Sequence, residues 1–458
     1  MDKPKIDNAK LVMFESMPIP RAVFKNALPS IVSMLMVLIY NLADTFFIAQ
    51  THDDLQVAAV SLALPVFLAF LGIGNMFGAG GASVISRSLG AGRNEYAKKV
   101  SAFCMWSCVA VGCAFMLVVW LTMTPLLRMI GATAGTEAHT RSYLSIVASC
   151  GPLLLFSGCF SSIIRAEGQA ATAMTGMLIG NIVNIVLDPI LILALGWGIT
   201  GAAIATVIGN IVGAVFYLQY FLRKKSILSI SPGRYTVRDK VLVSVLAIGI
   251  PAALGNLLMS VSHMVANSLI SGYSDSAVAS LGVSMRVIMI IGTMCIGLGQ
   301  GTQPLLGYCV GGRLWSRYKG IFRFSLVCSV ALSAIMTCVC YLFVDNIVGI
   351  FLSGEDAFEL GVRFAKIIMS TGALFGVFFS LSSALQAMGS AVSTFIISVS
   401  RQGLVYLPML FVLNSLVGLN GLVWAQPAAD VISVIIATVL YTVAIRKKIR
   451  TSGDAIAA

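Results

Sequence analysis

Residues 26–31, NALPSI, open a passage that the chain writes a second time from residue 247, as AIGIPA. Pro29 answers Pro251, QVAAVSLA (56–63) answers AVASLGVS (277–284), and SLGAGR (88–93) answers CVGGR (309–313). The correspondence runs on through SSIIRAEG (161–168) against SSALQAMG (382–389), and GWGITGAA (196–203) against LVGLNGLV (416–423). The offset stays near 220 residues throughout. A two-fold internal repeat in so apolar a chain is the plan of a transporter, with two bundles around a central pathway.

Composition fixes the solvent. Of 458 residues, 58% are hydrophobic and 10% charged, with a mean hydropathy of +0.94. A soluble domain carries roughly 25% charged residues, so here lipid is the main solvent. A membrane span needs about 20 apolar residues. Twelve such stretches are expected: 25–49, 57–80, 97–123, 142–164, 172–195, 199–222, 241–271, 278–308, 320–344, 363–386, 391–415 and 421–445. The expected fold is an all-α membrane protein of twelve transmembrane helices, in two parallel six-helix bundles around a central cleft. The N-lobe spans 25–222 and the C-lobe 241–446. A cytoplasmic segment (1–24), a basic linker (223–240) and a cytoplasmic tail (447–458) complete the chain. The linker is interrupted by Pro232-Gly233 and has the composition of an amphipathic helix on the inner leaflet; the two ends read as weakly ordered.

The formal net charge of +12 invites a nucleic-acid reading, but its distribution argues against one. Arg87, Arg93, Lys98 and Lys99 lie between spans two and three. Arg223, Lys224, Lys225, Arg234, Arg238 and Lys240 lie between six and seven, and Arg313, Arg317, Lys319 and Arg323 between eight and nine. Arg446, Lys447, Lys448 and Arg450 follow span twelve, and Lys3, Lys5, Lys10, Arg21 and Lys25 precede span one. The alternate loops, such as THDDLQ (51–56) and SGYSDSA (271–277), are acidic or nearly neutral. This alternation is the positive-inside pattern and puts both termini in the cytoplasm. The expected partners are therefore a lipid bilayer and small molecules, with no nucleic acid. The ten cysteines fall mostly inside spans, as small apolar packing residues. Residues 1–24 lack the apolar core of a signal peptide, so the first span is expected to stay in place. Glycine is densest at 72–83 and 292–304, matching places in the two halves, where small residues let helices approach closely. No Walker A sequence appears.

An ionisable side chain inside a span costs at least about 2.5–3.5 kcal/mol on insertion scales. Six residues bear that cost: Asp44, Asp188, His263, Arg286, Arg401 and Asp430. Arg165 and Glu167 sit at an inner helix end and read as interfacial. Asp44 lies late in the first span and Asp188 late in the fifth, so both belong to the outer half of the first repeat. Asn181, Asn184 and Asp188 share one helical face, Tyr40 and Asn41 share that of Asp44, and Thr206 and Asn210 form an i, i+4 pair. These residues are expected to line one polar pocket. Hydrogen bonding between helices accounts for the Asn and Thr residues; it accounts poorly for two carboxylates, which neutral groups would replace at less cost. Burial disfavours the charged form of a carboxyl group, and a site able to hold a proton near neutral pH can exchange it for another cation. The second repeat has no matching pair. Arg286, Arg401 and Asp430 read as an internal ion-pair network, while His263 and Gln300 are candidates for lining the pathway.

Twelve spans in two parallel repeats, together with NALPSIVSMLMVLIYNLADTFFIA (26–49), VAAVSLALP (57–65), SRSLGAGR (86–93), RAEGQAATAM (165–174), NIVNIVLDPILI (181–192) and GITGAAIATVIGN (198–210), resemble the MATE (multidrug and toxic compound extrusion) transporters. The resemblance covers about residues 15–446 and is greatest to the DinF-related, MepA-like branch. It implies two lobes opened alternately to each side of the membrane and export driven by inward H+ or Na+ flow. It further implies a coupling site at Asp44, Asn184, Asp188 and Thr206, the place for any Na+, and a first helix that bends at Pro29. The NorM-like branch places acids in helices seven and eight. This chain has His263 in helix seven and no acid in either, which argues against a C-lobe site of that kind.

The function expected is a secondary antiporter of a bacterial cytoplasmic (inner) membrane, working as a monomer without a cofactor and exporting cationic amphipathic compounds in exchange for H+ or Na+. Asp44 and Asp188 would carry the ion, and Asn184, Thr206 and Asn210 would orient it. Tyr40, Asn41, Asn181, His263 and Gln300 would shape the cargo cavity. The alternative is a lipid-linked saccharide flippase of the wider superfamily, disfavoured by the paired acids and by twelve spans rather than fourteen. A non-transporting scaffold would leave the buried charges idle, and no catalytic dyad or metal cluster suggests an enzyme.

Overall fold

The structure, a computed structural model, describes residues 12–454 apart from His52, Lys224, Lys225 and Ser353. Lys3, Lys5, Lys10, Lys224 and Lys225, used in the topology argument, lie outside the described residues, as does the end of the tail. The described chain is helical nearly throughout, as lipid demands: a backbone without water must satisfy its own hydrogen bonds. In the first half the helices are α1 (Ile19–Ala49), α2 (Asp54–Gly90), α3 (Asn94–Leu121), α4 (Met123–Met129), α5 (Glu137–Ser149), α6 (Gly151–Ala166), α7 (Ala170–Asp188) and α8 (Gly198–Leu222). In the second they are α9 (Val241–Ser271), α10 (Asp275–Gly311), α11 (Trp315–Leu342), α12 (Val344–Phe351), α13 (Glu355–Met369), α14 (Gly372–Met388), α15 (Ala391–Val399), α16 (Leu407–Val417) and α17 (Leu419–Asp454). Two π-helical segments, Pro189–Ala194 and Ser400–Tyr406, interrupt the fifth and eleventh spans.

Among the described residues ten helices are long and apolar enough to cross a membrane; counting two bent pairs as spans gives twelve. The pairs are α5 with α6, bent by 55°, and α13 with α14, bent by 45°. They are the fourth span of each half, so the bend belongs to the duplicated plan. The repeats also share their punctuation. Asp53 and Ser274 cap α2 and α10, accepting from the Leu55 and Ala277 N–H groups. At the other end of these helices the chain turns through a left-handed residue: Gly92 in the first copy (φ 71°) and Arg313 in the second (φ 56°). Glycine takes that conformation freely, whereas at Arg313 it costs about 1–2 kcal/mol.

The helices form two packing units. One comprises Met1–Glu15 and Val32–Gly249, the other Ser16–Ile31 and Ile250–Ala458. The boundaries fall inside helices: in α1 two residues after Pro29, and in α9 between Gly249 and Ile250, one residue before Pro251. A proline removes one helical hydrogen bond and so marks a soft point. The first part of α1 packs with the second unit, and the first part of α9 with the first. The glycine runs receive them. A Cβ on Gly80 of α2 would lie 2.2 Å from the Val245 carbonyl oxygen, and one on Gly301 of α10 would lie 2.5 Å from Ala27 Cα. Residues 12–15 and 19–24, expected to be weakly ordered, are helical, and Met13 and Phe14 are buried against Gly168.

In the first unit α2 runs along α3 and α6, α7 along α8, and α5 and α6 against α8. In the second unit α10 runs along α11, α13 and α14, and α16 along α17. The described part of the linker contains a 3-10 turn, Pro232–Arg234, rather than an amphipathic helix. It is strapped to the start of α3. Arg234 pairs with Glu95 and Lys99 with Asp239, each at 2.8 Å. Trp106 Nε1 donates to the Ile230 carbonyl, and Tyr235 stacks on Phe103. Glu167 and Arg165, expected at the interface, are instead buried. Glu167 accepts from Tyr220 Oη, from Ser226 Oγ at 2.8 Å and from the Ile227 N–H at 3.0 Å, so a carboxylate spared by hydrogen bonds holds the linker's start.

Candidate functional site

The site in the first unit begins with two glycines. Gly180 on α7 and Gly209 on α8 touch backbone to backbone: a Cβ on either would lie 2.7 or 2.6 Å from the other's carbonyl oxygen. One turn beyond Gly180, Asn184 therefore reaches across the pair. Its Nδ2 lies 3.4 Å from Thr206 Oγ1 on α8 and 3.4 Å from Asp188 Oδ1 on its own helix. Asn184, Asp188 and Thr206 are all buried, Asp188 completely. Pro189 follows at once, and the backbone passes from α to π winding there.

Asp44 comes from α1 and is half-buried. It lies within electrostatic reach of Asp188, and Tyr40 within reach of both acids. Tyr143, on α5, joins them, within electrostatic reach of Asp44, Tyr40 and Asp188. Sequence reading missed Tyr143, because it lies in a bent span where no motif or spacing singles it out. Four buried polar atoms of this site have no hydrogen-bond partner among the described residues: Asp44 Oδ1, Asn181 Nδ2, Asn184 Oδ1 and Asp188 Oδ2.

The other expected residues lie in different surroundings. Asn41 is exposed, and its carbonyl accepts from Thr45 Oγ1. Asn210 spends its amide on the Thr206 carbonyl, 2.8 Å away in its own helix. His263 and Gln300 lie in the second unit, as does Pro29. There His263 is within electrostatic reach of Arg401, and Gln300 Oε1 is buried without a partner. Arg286 does not join the expected network: it is exposed, with its guanidinium over the Phe351 ring. The ion pair itself is present. Arg401 Nε meets Asp430 Oδ1 at 2.9 Å, Gln426 and Thr371 complete the carboxylate's shell, and Phe375 and Phe378 face the guanidinium.

Beyond the membrane-spanning part of α2, hydrogen bonds from Gln56 and from the Leu55 N–H hold the Asp53 carboxyl below the usual carboxylate range. No group of three or more His, Cys, Asp or Glu capable of holding a metal occurs among the described residues. A hard cation would therefore rely on two carboxylates together with neutral oxygens such as Asn184 Oδ1 and Thr206 Oγ1. The arrangement suits binding and releasing a small cation rather than bond-making chemistry.

A duplicated helical membrane fold is the plan of a membrane transporter. The chain belongs to the MATE family: the MatE profile matches twice, over residues 29–190 and 251–412. It is 30% identical to the multidrug export protein MepA of Staphylococcus saprophyticus over 431 residues, covering 94% of this chain and 95% of that one. It is 31% identical to MepA of Staphylococcus aureus strain MSSA476, over 92% and 93% of the two chains. A solved structure described as the outward-facing conformation of a multidrug resistance MATE family transporter superposes with a TM-score of 0.91 at 21% identity, covering 98% and 99%.

Proposed function

We propose that this transporter is an antiporter that exports cationic, amphipathic organic compounds across a bacterial cytoplasmic membrane in exchange for H+ or Na+, by alternating access. It works as a monomer with both termini in the cytoplasm. Asp44 and Asp188 carry the coupling ion. Asn184 and Thr206 orient it, and Tyr40 and Tyr143 shape the chamber. The observation that carries this reading is the pair of acids within electrostatic reach of one another, each with an unpaired buried oxygen. Two such groups cannot both hold charge cheaply without a cation between them. The cargo class is supported by the MepA relatives, which are multidrug export proteins. A bend of α1 at Pro29 is part of this reading, supported by the proline's place two residues before the unit boundary within that helix.

The test is efflux of a fluorescent organic cation from proteoliposomes, with a pH gradient and a Na+ gradient imposed separately. The wild type should respond to one of them. Asp44→Asn and Asp188→Asn should each lower the gradient-driven rate at least tenfold. Export by Asp44→Asn at the wild-type rate would remove the coupling assignment.

A further inference from the structure

The acid chamber of the first unit carries a second layer directly beyond it. Ile48 follows Asp44 by four residues, Ile192 follows Asp188 by four, and Ala202 precedes Thr206 by four. Each thus stands about one turn from a site residue, on the side facing the 49–54 and 195–198 connections. These three side chains form one cluster, exposed by 2%, 2% and 0%, with Phe47 and Val60 packed against it. A polar layer drawn from three helices is therefore covered by a dry layer drawn from the same three.

Beyond the dry layer lies a polar clasp. Gln56 Oε1 accepts from the Ile199 N–H at 2.7 Å, and Gln56 Nε2 donates to Asp53 Oδ2 at 3.0 Å. The fit requires glycine at 198: its φ is +53°, and a Cβ would lie 2.2 Å from Gln56 Oε1. Ile192 sits in the π segment, whose wider winding is less regular than α-helix and recurs at functional sites. Gly201 brings α8 against that segment, with its Cβ position 2.7 Å from the Leu191 carbonyl oxygen.

We propose that Ile48, Ile192 and Ala202 are the gate of the coupling-ion path on the side of the 49–54 and 195–198 connections, that the Gln56 clasp holds this gate shut, and that the ion passes when the π segment carries Ile192 aside. The inference rests on the reading of Asp44 and Asp188 as the coupling pair. A cation in a dry layer lacks both water and polar partners, so three apolar side chains are a sufficient barrier.

The experiment measures ion influx into proteoliposomes under a potassium diffusion potential, with no organic cargo, using an internal pH dye or Na+ dye. The wild type should leak little. Ile192→Thr and the milder Ala202→Ser should each raise influx at least tenfold, and Gln56→Ala should raise it two- to five-fold. Wild-type influx in both gate variants, with each eluting as a folded monodisperse protein, overturns the gate; Ala202→Ser, a one-atom change, decides alone if Ile192→Thr does not fold. Adding Asp44→Asn to the leaking variant separates the two claims. Loss of the leak upholds gate and acid pair together. Persistence of the leak upholds the gate and removes the acids from the path.

Discussion

Replacing Gly209 with alanine tests whether the contact between α7 and α8 sets the site. The new Cβ would lie 2.6 Å from the Gly180 carbonyl oxygen and 3.0 Å from Asn184 Cβ. Comfortable carbon contacts begin at about 3.5 Å, so the helices must part by about 0.5–1 Å. The near neighbour is backbone and cannot swing away. The 3.4 Å approach of Asn184 Nδ2 to Thr206 Oγ1 then lengthens beyond hydrogen-bonding distance. Overpacking of this kind costs about 1–3 kcal/mol, offset by about 0.5–1 kcal/mol from removing a helical glycine. The net expectation is a loss of up to about 2.5 kcal/mol, with export falling at least five-fold. Gly72→Ala is the control, since nothing lies within 4 Å of its Cβ position; it should be neutral or slightly stabilising. Thermal stability by size-exclusion fluorescence, alongside dye efflux, reads both quantities. Equal stability and equal export in the two variants would refute the claim that this contact positions Asn184.

Three further outcomes are expected. Arg401→Ala leaves Asp430 buried without its ion partner and should destabilise the protein by about 3–5 kcal/mol, while Arg401→Ala with Asp430→Ala should be milder; a thermal melt of both variants compares them. Glu167→Ala removes the carboxylate that holds Ser226 and the Ile227 N–H, and limited proteolysis should then cut within 223–240 several times faster than in the wild type. Lys99→Ala breaks an exposed pair with Asp239 and should change stability by less than about 1 kcal/mol, with the same melt as the readout.

The parts of the fold legible in the sequence are those written in local patterns. Apolar length marks the spans, the duplicated motifs mark the repeat, and the spacing of Asn184 and Asp188 marks a polar helix face. The approach of Thr206 to that face follows from glycines at 180 and 209 that the sequence displays without saying which helices they join. What depends on packing was not legible. The exchange of helix parts near Pro29 and Pro251 is marked locally only by the prolines, which do not say what either side packs on, although the glycine runs that accept those parts were visible as runs. Glu167 reads as interfacial because it follows Arg165 at a helix end; its burial depends on Tyr220 and Ser226, more than fifty residues away. Asn41 shares a helical face with Asp44 by spacing, yet it is exposed, because a face shared along one helix does not fix what packs on it. Asn210 pairs with Thr206 as the i, i+4 rule suggests, but through the Thr206 carbonyl rather than its hydroxyl.

Helices that meet main chain to main chain leave no slack between them. Asn184, Asp188 and Thr206 are accordingly held together as a single cassette. Asp44 is mounted elsewhere, on a helix whose earlier residues pack with the other unit. The polar residues of the site are thus mounted on two helices locked to each other and on a third that is anchored separately.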